Sequence, residues 1–482
     1  MKKVRIILVS FMTLCALFSA VQIQAFCGFY VAKADTKLFN NKSEVILVRD
    51  GNHTTITMSN DFKGDVSDFA MVVPVPTVLK EDQIRVVNPS IFSKLDDYSG
   101  PRLVEYFDQN PCQPVYKEEI AFSFSSADFA PTMLEMVKDS EKSYSVTIEA
   151  QYEVGEYDIL ILSAKESSGL KRWLTDNGYK IPDGAEEVLD PYIKNQLKFF
   201  VVKVNLNKLA GKSPEFLSPI QIEFDSDRFM LPIRLGMANS TGTQDMIVYA
   251  LTREGRVECA NYRTVEIPTN RNIPTFVQSR FGEFYKDLFD RSYAHEGGNA
   301  IFLEYAWNVS PTWPVKCDPC NGPPPVNQDL VDAGADWIQQ GAASDVFFTR
   351  LHVRYSRNKF PQDLLFQVTP NREQFQGRYV MTHAATGDFS CEEGQEYLRN
   401  LQMKRKKEVD ELVALTGWNS KHSENYVKEY ENRLHRQEVG PIWNEPGGGS
   451  GGLTWGLLSL VLLFSLSVSI WLSRQLRRPV AG

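Results

Sequence analysis

The chain has 482 residues, 43% hydrophobic and 23% charged, with 52 Lys and Arg against 60 Asp and Glu for a net charge of −8. That is the make-up of a globular protein with length for a large core and two or three ordinary domains. Its acidic balance argues against a nucleic-acid ligand, which needs a basic footprint.

The first element is at residues 1–25. Lys2, Lys3 and Arg5 precede an apolar run from Ile6 to Ala20, and Ala25 follows as a small residue at a cleavage position. This three-part pattern predicts a secretory signal peptide. Cys27 also suggests a lipid-anchored start, but bulky Phe26 stands where such proteins want a small residue.

Residues 26–392 predict a β-rich α+β ectodomain of mostly antiparallel sheets, as one unit or two lobes. "SEVILVRD" and "NHTTITMS" flank Asp50-Gly51-Asn52, a hairpin signal. "DFAMVVPVPTVL" reads as an edge strand or a polyproline-like exit because of Pro74 and Pro76. Further strands are predicted in "YSVTIEAQYEV", "YDILILSA", "KFFVVKVNL", "PIQIEF", "QDMIVYALT", "VFFTRLHVRYS" and "GRYVMTHAA". Helices are predicted in "ESSGLKRWLTDNGY", where Leu170, Trp173 and Leu174 share a face, in "AEEVLDPYIKNQL", interrupted by Pro191, and in "FGEFYKDLF".

Residues 393–446 shift to a charged, helix-prone composition and predict a helical spacer beside the membrane. Within it, Tyr397, Leu398, Leu401, Val409, Leu412 and Val413 keep helical spacing. The basic run Lys404–Lys407 is followed by Glu408, Asp410 and Glu411, so it reads as a solvated face with Arg405 or Lys406 paired at helical distance. A Gly/Ser linker at 447–452 leads to Leu453–Ser473, an uncharged run of length to span a bilayer, with Trp455 and Trp471 near its ends. Arg474, Arg477 and Arg478 place the tail, 474–482, in the cytoplasm by the positive-inside rule. The expected lipid partner is therefore the bilayer around 453–473. The two ends hold six basic residues and no acid, so without them the net charge of −8 becomes −14.

Cys15 falls in the predicted signal. Cys27, Cys112, Cys259, Cys317, Cys320 and Cys391 remain, an even six that favours disulfides in an oxidising compartment. The Cys-x-x-Cys of "SPTWPVKCDPCNGPPP" lies among prolines that cannot start the helix a thioredoxin-like centre uses to activate its thiol. Position 321 is Asn, against haem attachment, and His295 and His352 lack ligand spacing, against zinc. The pair reads as a structural staple, with exchangeable redox thiols at Cys317 and Cys320 as the alternative.

The motifs "FCGFYVAKADTKLFNNKSEVILV", "DFAMVVPVP", "PRLVEYFD", "NPC" and "WPVKCDPCNGPPP", in this order, resemble a bacterial domain-of-unknown-function family, number 2330. The resemblance implies an exported envelope protein and brings no activity and no catalytic residue. The Gly/Ser stretch, apolar span and Arg cluster at the C-terminus also resemble GlyGly-type sorting tails cut by rhomboid-like proteases, which implies a temporary anchor.

No nucleophile elbow, phosphate loop, zinc helix or dinucleotide fingerprint appears in the sequence. Asp225 and Asp227, the pair His295 and Glu296, and His383 with Asp388 are candidate sites whose simpler reading is a surface acid or a chance histidine. Pro74-Val75-Pro76 reads as a rigid chain exit, with a binding edge as the alternative. The expectation is a non-enzymatic, cofactor-free envelope protein, membrane-anchored outside the cytoplasm, that binds or scaffolds a further envelope protein or ligand. The alternatives are a thiol-disulfide oxidoreductase and a hydrolase with an unrecognised site.

Overall fold

The computed structural model describes residues 29–32, 39–40, 43–59, 62–63, 69–113, 146–177, 185–205, 208, 217–238, 242–310, 317, 322–340, 345–419 and 423–428. The predicted signal, linker and membrane span lie outside them. Among the described residues no helix is long and apolar enough to cross a membrane. The chain divides into two units, Met1–Val427 and Lys428–Gly482, and every element below belongs to the first.

The order begins β1 (Phe29–Ala32), β2 (Phe39–Asn40), β3 (Ser43–Asp50), β4 (His53–Met58), β5 (Phe62–Lys63), β6 (Phe69–Val75), β7 (Ile84–Val86), α1 (Ser90–Ser99), β8 (Arg102–Phe107). Then come β9 (Val146–Val154), β10 (Tyr157–Ala164), α2 (Ser167–Asp176), α3 (Ala185–Lys194) and β11 (Lys198–Val204). β12 (Ile220–Asp225), β13 (Met230–Leu231), α4 (Arg234–Ala238), β14 (Gln244–Thr252), β15 (Val257–Cys259), β16 (Arg263–Glu266) and β17 (Arg271–Asn272) follow. The last elements are α5 (Phe281–His295), β18 (Ala300–Asn308), α6 (Asn327–Asp332), β19 (Phe347–Tyr355), β20 (Leu364–Val368), β21 (Phe375–Gln376), β22 (Arg378–His383) and α7 (Glu392–Thr416).

Two sheets carry the body. One runs β1-β6-β11-β10-β9; the other runs β16-β18-β19-β14-β3-β4-β12-β7, with β21 on β18. Their inner faces meet: Met71, Val73, Ile159, Ile161, Phe200 and Val202 from the first pack with Val45, Leu47, Ile56, Ile222, Met246 and Val248 from the second. Period-2 alternation sends the intervening residues outward. On the first sheet these are Val72, Leu162, Phe199 and Val201, covered by Leu170, Trp173 and Leu174 of α2 and Val188, Leu189 and Tyr192 of α3. On the second they are Ile46, Ile247, Tyr249 and Phe348, covered by Ile91, Phe92 and Leu95 of α1. The result is helices, sheet, sheet, helices, each layer burying the apolar side of the next. The fold is α+β, β-rich and mostly antiparallel; β3–β14, β16–β18, β17–β22 and β8–β22 pair in parallel.

The expected hairpin forms: Asp50 pairs with His53, and Gly51 takes the φ of +57° that the two-residue turn requires. Three expectations change. β6 is not an edge strand, because it lies between β1 and β11. Among the described residues β1 reaches only to Val72, and Pro74 is paired on its other side, opposite Phe199. α3 runs through Pro191. Burial of Val188, Leu189 and Tyr192 against the sheet outweighs the one N–H bond that the proline removes. Residues 393–416, the first part of the segment 393–446 read as a spacer, lie in a helix docked on the body by Leu398, Leu401, Arg405, Glu408, Val409 and Leu412. Arg405 is not on a solvated face; it is buried and donates to both carboxylate oxygens of Glu408 at 2.8–2.9 Å.

Candidate functional site

The densest assembly of charge lies on the outer face of the larger sheet. β19 alternates Phe348, Arg350, His352 and Arg354 onto that face, and in register β14 places Leu251, Tyr249, Ile247 and Asp245 beside them. The third contributor, Glu304, comes from an irregularity. The β18–β19 register shifts between Leu303 and Tyr305, leaving Glu304 as the extra residue. A bulge of this kind re-aims a side chain, and here it delivers a carboxylate to the β19 bases.

Glu304 is wholly buried. Its carboxylate accepts from Arg350 Nε at 2.6 Å, lies 2.9 Å from His352 Nδ1, and accepts from the Tyr285 hydroxyl of α5. The other nitrogen of His352 lies 3.2 Å from Asp245 Oδ1, so the ring stands between two carboxylates. Phe289 of α5 stacks on the imidazole at 3.8 Å. Arg354 donates to Asp245 at 2.8 and 3.0 Å and to Asp290 of α5. At the other end, Arg350 Nη1 donates to Asp96 of α1 at 2.6 Å, and the Tyr249 hydroxyl lies 2.7 Å from Glu44 and 2.9 Å from Asp96. The array thus joins β3, β14, β18 and β19 to α1 and α5.

Burial alone would raise the Glu304 carboxyl, but Arg350 and His352 outweigh it and bring it down to about 2. Burial likewise opposes ionisation of Asp245, which hydrogen bonds from His352 and Arg354 hold at about 2. Burial lowers His352, yet Glu304 and Asp245 leave it above its ordinary value. The array alternates basic and acidic side chains, and each imidazole nitrogen faces a carboxylate. Chemically it clamps helices to a sheet.

None of the residues singled out in sequence as candidate sites joins this array. His295 is 84% exposed and 3.2 Å from Glu296, which is itself held by Arg263. Asp225 is 3.0 Å from His53, and Asp227 accepts from Asn52 at 2.9 Å. His383 is joined not to Asp388 but to Glu105, at 2.8 Å, while Asp388 accepts from Ser390. Parallel pairing of β8 with β22 brings His383 beside the Phe107 ring, stacked at 4.6 Å. Among the described residues no three His, Cys, Asp or Glu side chains are grouped as metal ligands.

Of the cysteines, Cys112 and Cys391 form a disulfide across 279 residues, with Cα atoms 5.8 Å apart. Cys317 is disulfide-bonded and only 7% exposed; Cys27 and Cys320 lie outside the described residues. Cys259, a disulfide candidate by sequence, carries a free buried thiol on β15, 3.2 Å from the Leu365 carbonyl oxygen. Gly394 makes room for the Cys112–Cys391 bond: a Cβ there would stand 2.6 Å from Cys112 Sγ.

Sequence reasoning missed Glu304, Arg350 and Asp245. β18 reads AIFLEYAWN and is buried at all nine positions, so it shows no alternation. The one available signal was a single acid inside that apolar run.

The profile of one protein family, described as an uncharacterized protein conserved in bacteria (DUF2330), matches residues 21–367. No curated protein and no solved structure matches the chain.

Proposed function

The chain belongs to this family of uncharacterised bacterial proteins, and from that premise we propose that it is an exported, membrane-anchored ectodomain that binds or scaffolds outside the cytoplasm. The observation that carries the reading is the Cys112–Cys391 disulfide. A bond of this kind forms and persists in an oxidising compartment and is rare where thioredoxin and glutathione keep thiols reduced. The basic-then-apolar start at residues 1–25 and the apolar run at 453–473 supply a route out and an anchor. The ionic array and the disulfide fix helices and loops to the sheets, which suits a rigid surface for a partner.

The test is a non-reducing peptide map of protein taken from its own cells after alkylation of free thiols, paired with membrane fractionation and protease treatment of opened cells. The reading expects a membrane-bound chain, Cys112 and Cys391 oxidised, and an ectodomain cut from the outer side. A soluble cytoplasmic chain with both thiols alkylated would sink it. Mixed free and bonded forms at Cys317 and Cys320 would favour the thiol-exchange alternative.

A further inference from the structure

A cavity of about 330 Å³ opens between α3, α4 and the segment that follows β19, lined by Glu187, Val188, Pro191, Arg234, Met237, Arg357 and Pro361. Its polar wall is two arginines and one glutamate; the rest is apolar.

The two cations are held differently. Asp363 Oδ1 accepts from the Tyr192 hydroxyl at 2.7 Å and from the backbone N–H groups of Ile233 and Arg234 at 3.0 and 3.2 Å. Those bonds fix the start of α4 and set where Arg234 points. They also use up Oδ1, leaving Oδ2 at 4.0 Å from Arg234 Nε, too far for a hydrogen bond. The Nε is buried without a hydrogen-bond partner, although the side chain as a whole is 23% exposed. That nitrogen has no open surface, so a ligand meets Arg234 through the part of the side chain that is exposed. Arg357, on the facing segment, is bound at 3.1 Å to Glu187, and both side chains are more than half exposed. An exposed pair of this sort holds weakly and yields to a better acceptor.

We propose that this cavity binds a small organic anion with a compact apolar group. The anionic head, a carboxylate or a phosphate monoester, lies between the guanidinium groups of Arg234 and Arg357. The apolar part lies against Val188, Pro191, Met237 and Pro361. Arginine suits the task because its planar fork meets two oxygens at once. The volume is at the lower end for small-molecule sites, so the ligand is a compact metabolite rather than a polymer segment. This inference deepens the binding reading above and rests on it.

The experiment is calorimetric titration of the full chain in lipid nanodiscs with hexanoate, with hexanol and with inorganic phosphate, using empty nanodiscs as the lipid background. Hexanoate is expected to bind saturably at one site, and hexanol and phosphate more weakly. Arg357→Ala and Arg234→Met are each expected to weaken hexanoate roughly tenfold or more, the scale of a lost hydrogen bond to a charged group. Arg357 is exposed, so its variant keeps the test valid if Arg234→Met fails to fold. No heat above the background, or hexanoate affinity unchanged in Arg357→Ala, overturns the proposal. Phosphate binding as tightly as hexanoate overturns its apolar half. An exported, anchored chain without hexanoate heat loses this site alone, whereas a reduced cytoplasmic chain loses the broader reading.

Discussion

Glu304 stays ionised in the core because Arg350, His352 and Tyr285 all donate to it, and the bulge on β18 puts it in their reach. Glu304→Gln keeps the shape but leaves two buried cations short of a countercharge. It is expected to cost about 3–5 kcal/mol in urea unfolding at pH 7; a cost under about 1 kcal/mol would mean the array relaxes freely. The pH dependence follows from the directions of shift. Glu304 and Asp245 sit at about 2, so their contribution is full above ordinary carboxylate values and is lost as pH falls toward 2. His352 is raised, so its contribution is full below the ordinary imidazole value and is lost as pH rises through its folded one. The stability gap between the wild type and His352→Gln should therefore shrink from pH 6 to pH 9. A gap that is constant or widens would show that the ring is not held protonated.

Strands were legible in two ways: β3, β11 and β14, buried almost throughout, as runs of β-prone apolar residues, and β9 and β10 by alternation. β9 alternates exposed and half-buried residues along its length, and β10 alternates buried with half-buried over its first part, so period 2 marked both. β18 is buried throughout and gave no such mark, so the bulge was hidden and its carboxylate showed only as a lone acid in an apolar run. α1 was missed as well, since Ser90–Ser99 has neither a strong cap nor an acid-rich first turn. α7 was read correctly as helical but assigned the wrong neighbour. Its buried stripe at 398, 401, 405, 408, 409 and 412 includes Arg405 and Glu408, which in sequence look like solvent-facing charge. Tyr426 completes that pair, donating to Glu408 at 2.8 Å. Arg405→Met alone strands a buried carboxylate and should destabilise the chain by about 3–5 kcal/mol. Arg405→Met with Glu408→Leu should be markedly milder, because nothing charged is left behind. Equal losses in the two urea curves would assign the effect to packing of the arginine stem instead.

Across the whole molecule, distant segments of chain close the structure. β3 pairs with β14, and β8 with β22, so the sheets are incomplete until late residues arrive. The family match ends at residue 367, before β22 and α7, yet the disulfide draws α7 to the loop after β8. Replacing Cys112 and Cys391 together by serine should cost about 2–5 kcal/mol by freeing that long loop in the unfolded chain. A melting temperature unchanged by the double substitution would show that packing of α7 alone holds the closure.

That bond also sets a problem of timing. In a chain exported as proposed and threaded outward from its N-terminus, Cys27 and Cys112 emerge first, Cys259, Cys317 and Cys320 pass next, and Cys391 comes last. The partner of Cys112 is thus the final cysteine to appear, and three others go by between the two. Early oxidation would trap a mispaired chain, so β15 must bury Cys259 before the oxidant reaches it, or a disulfide isomerase must correct the error. Under that proposal the yield of correctly bonded protein depends on the order of folding events during export as much as on the stability of the finished fold.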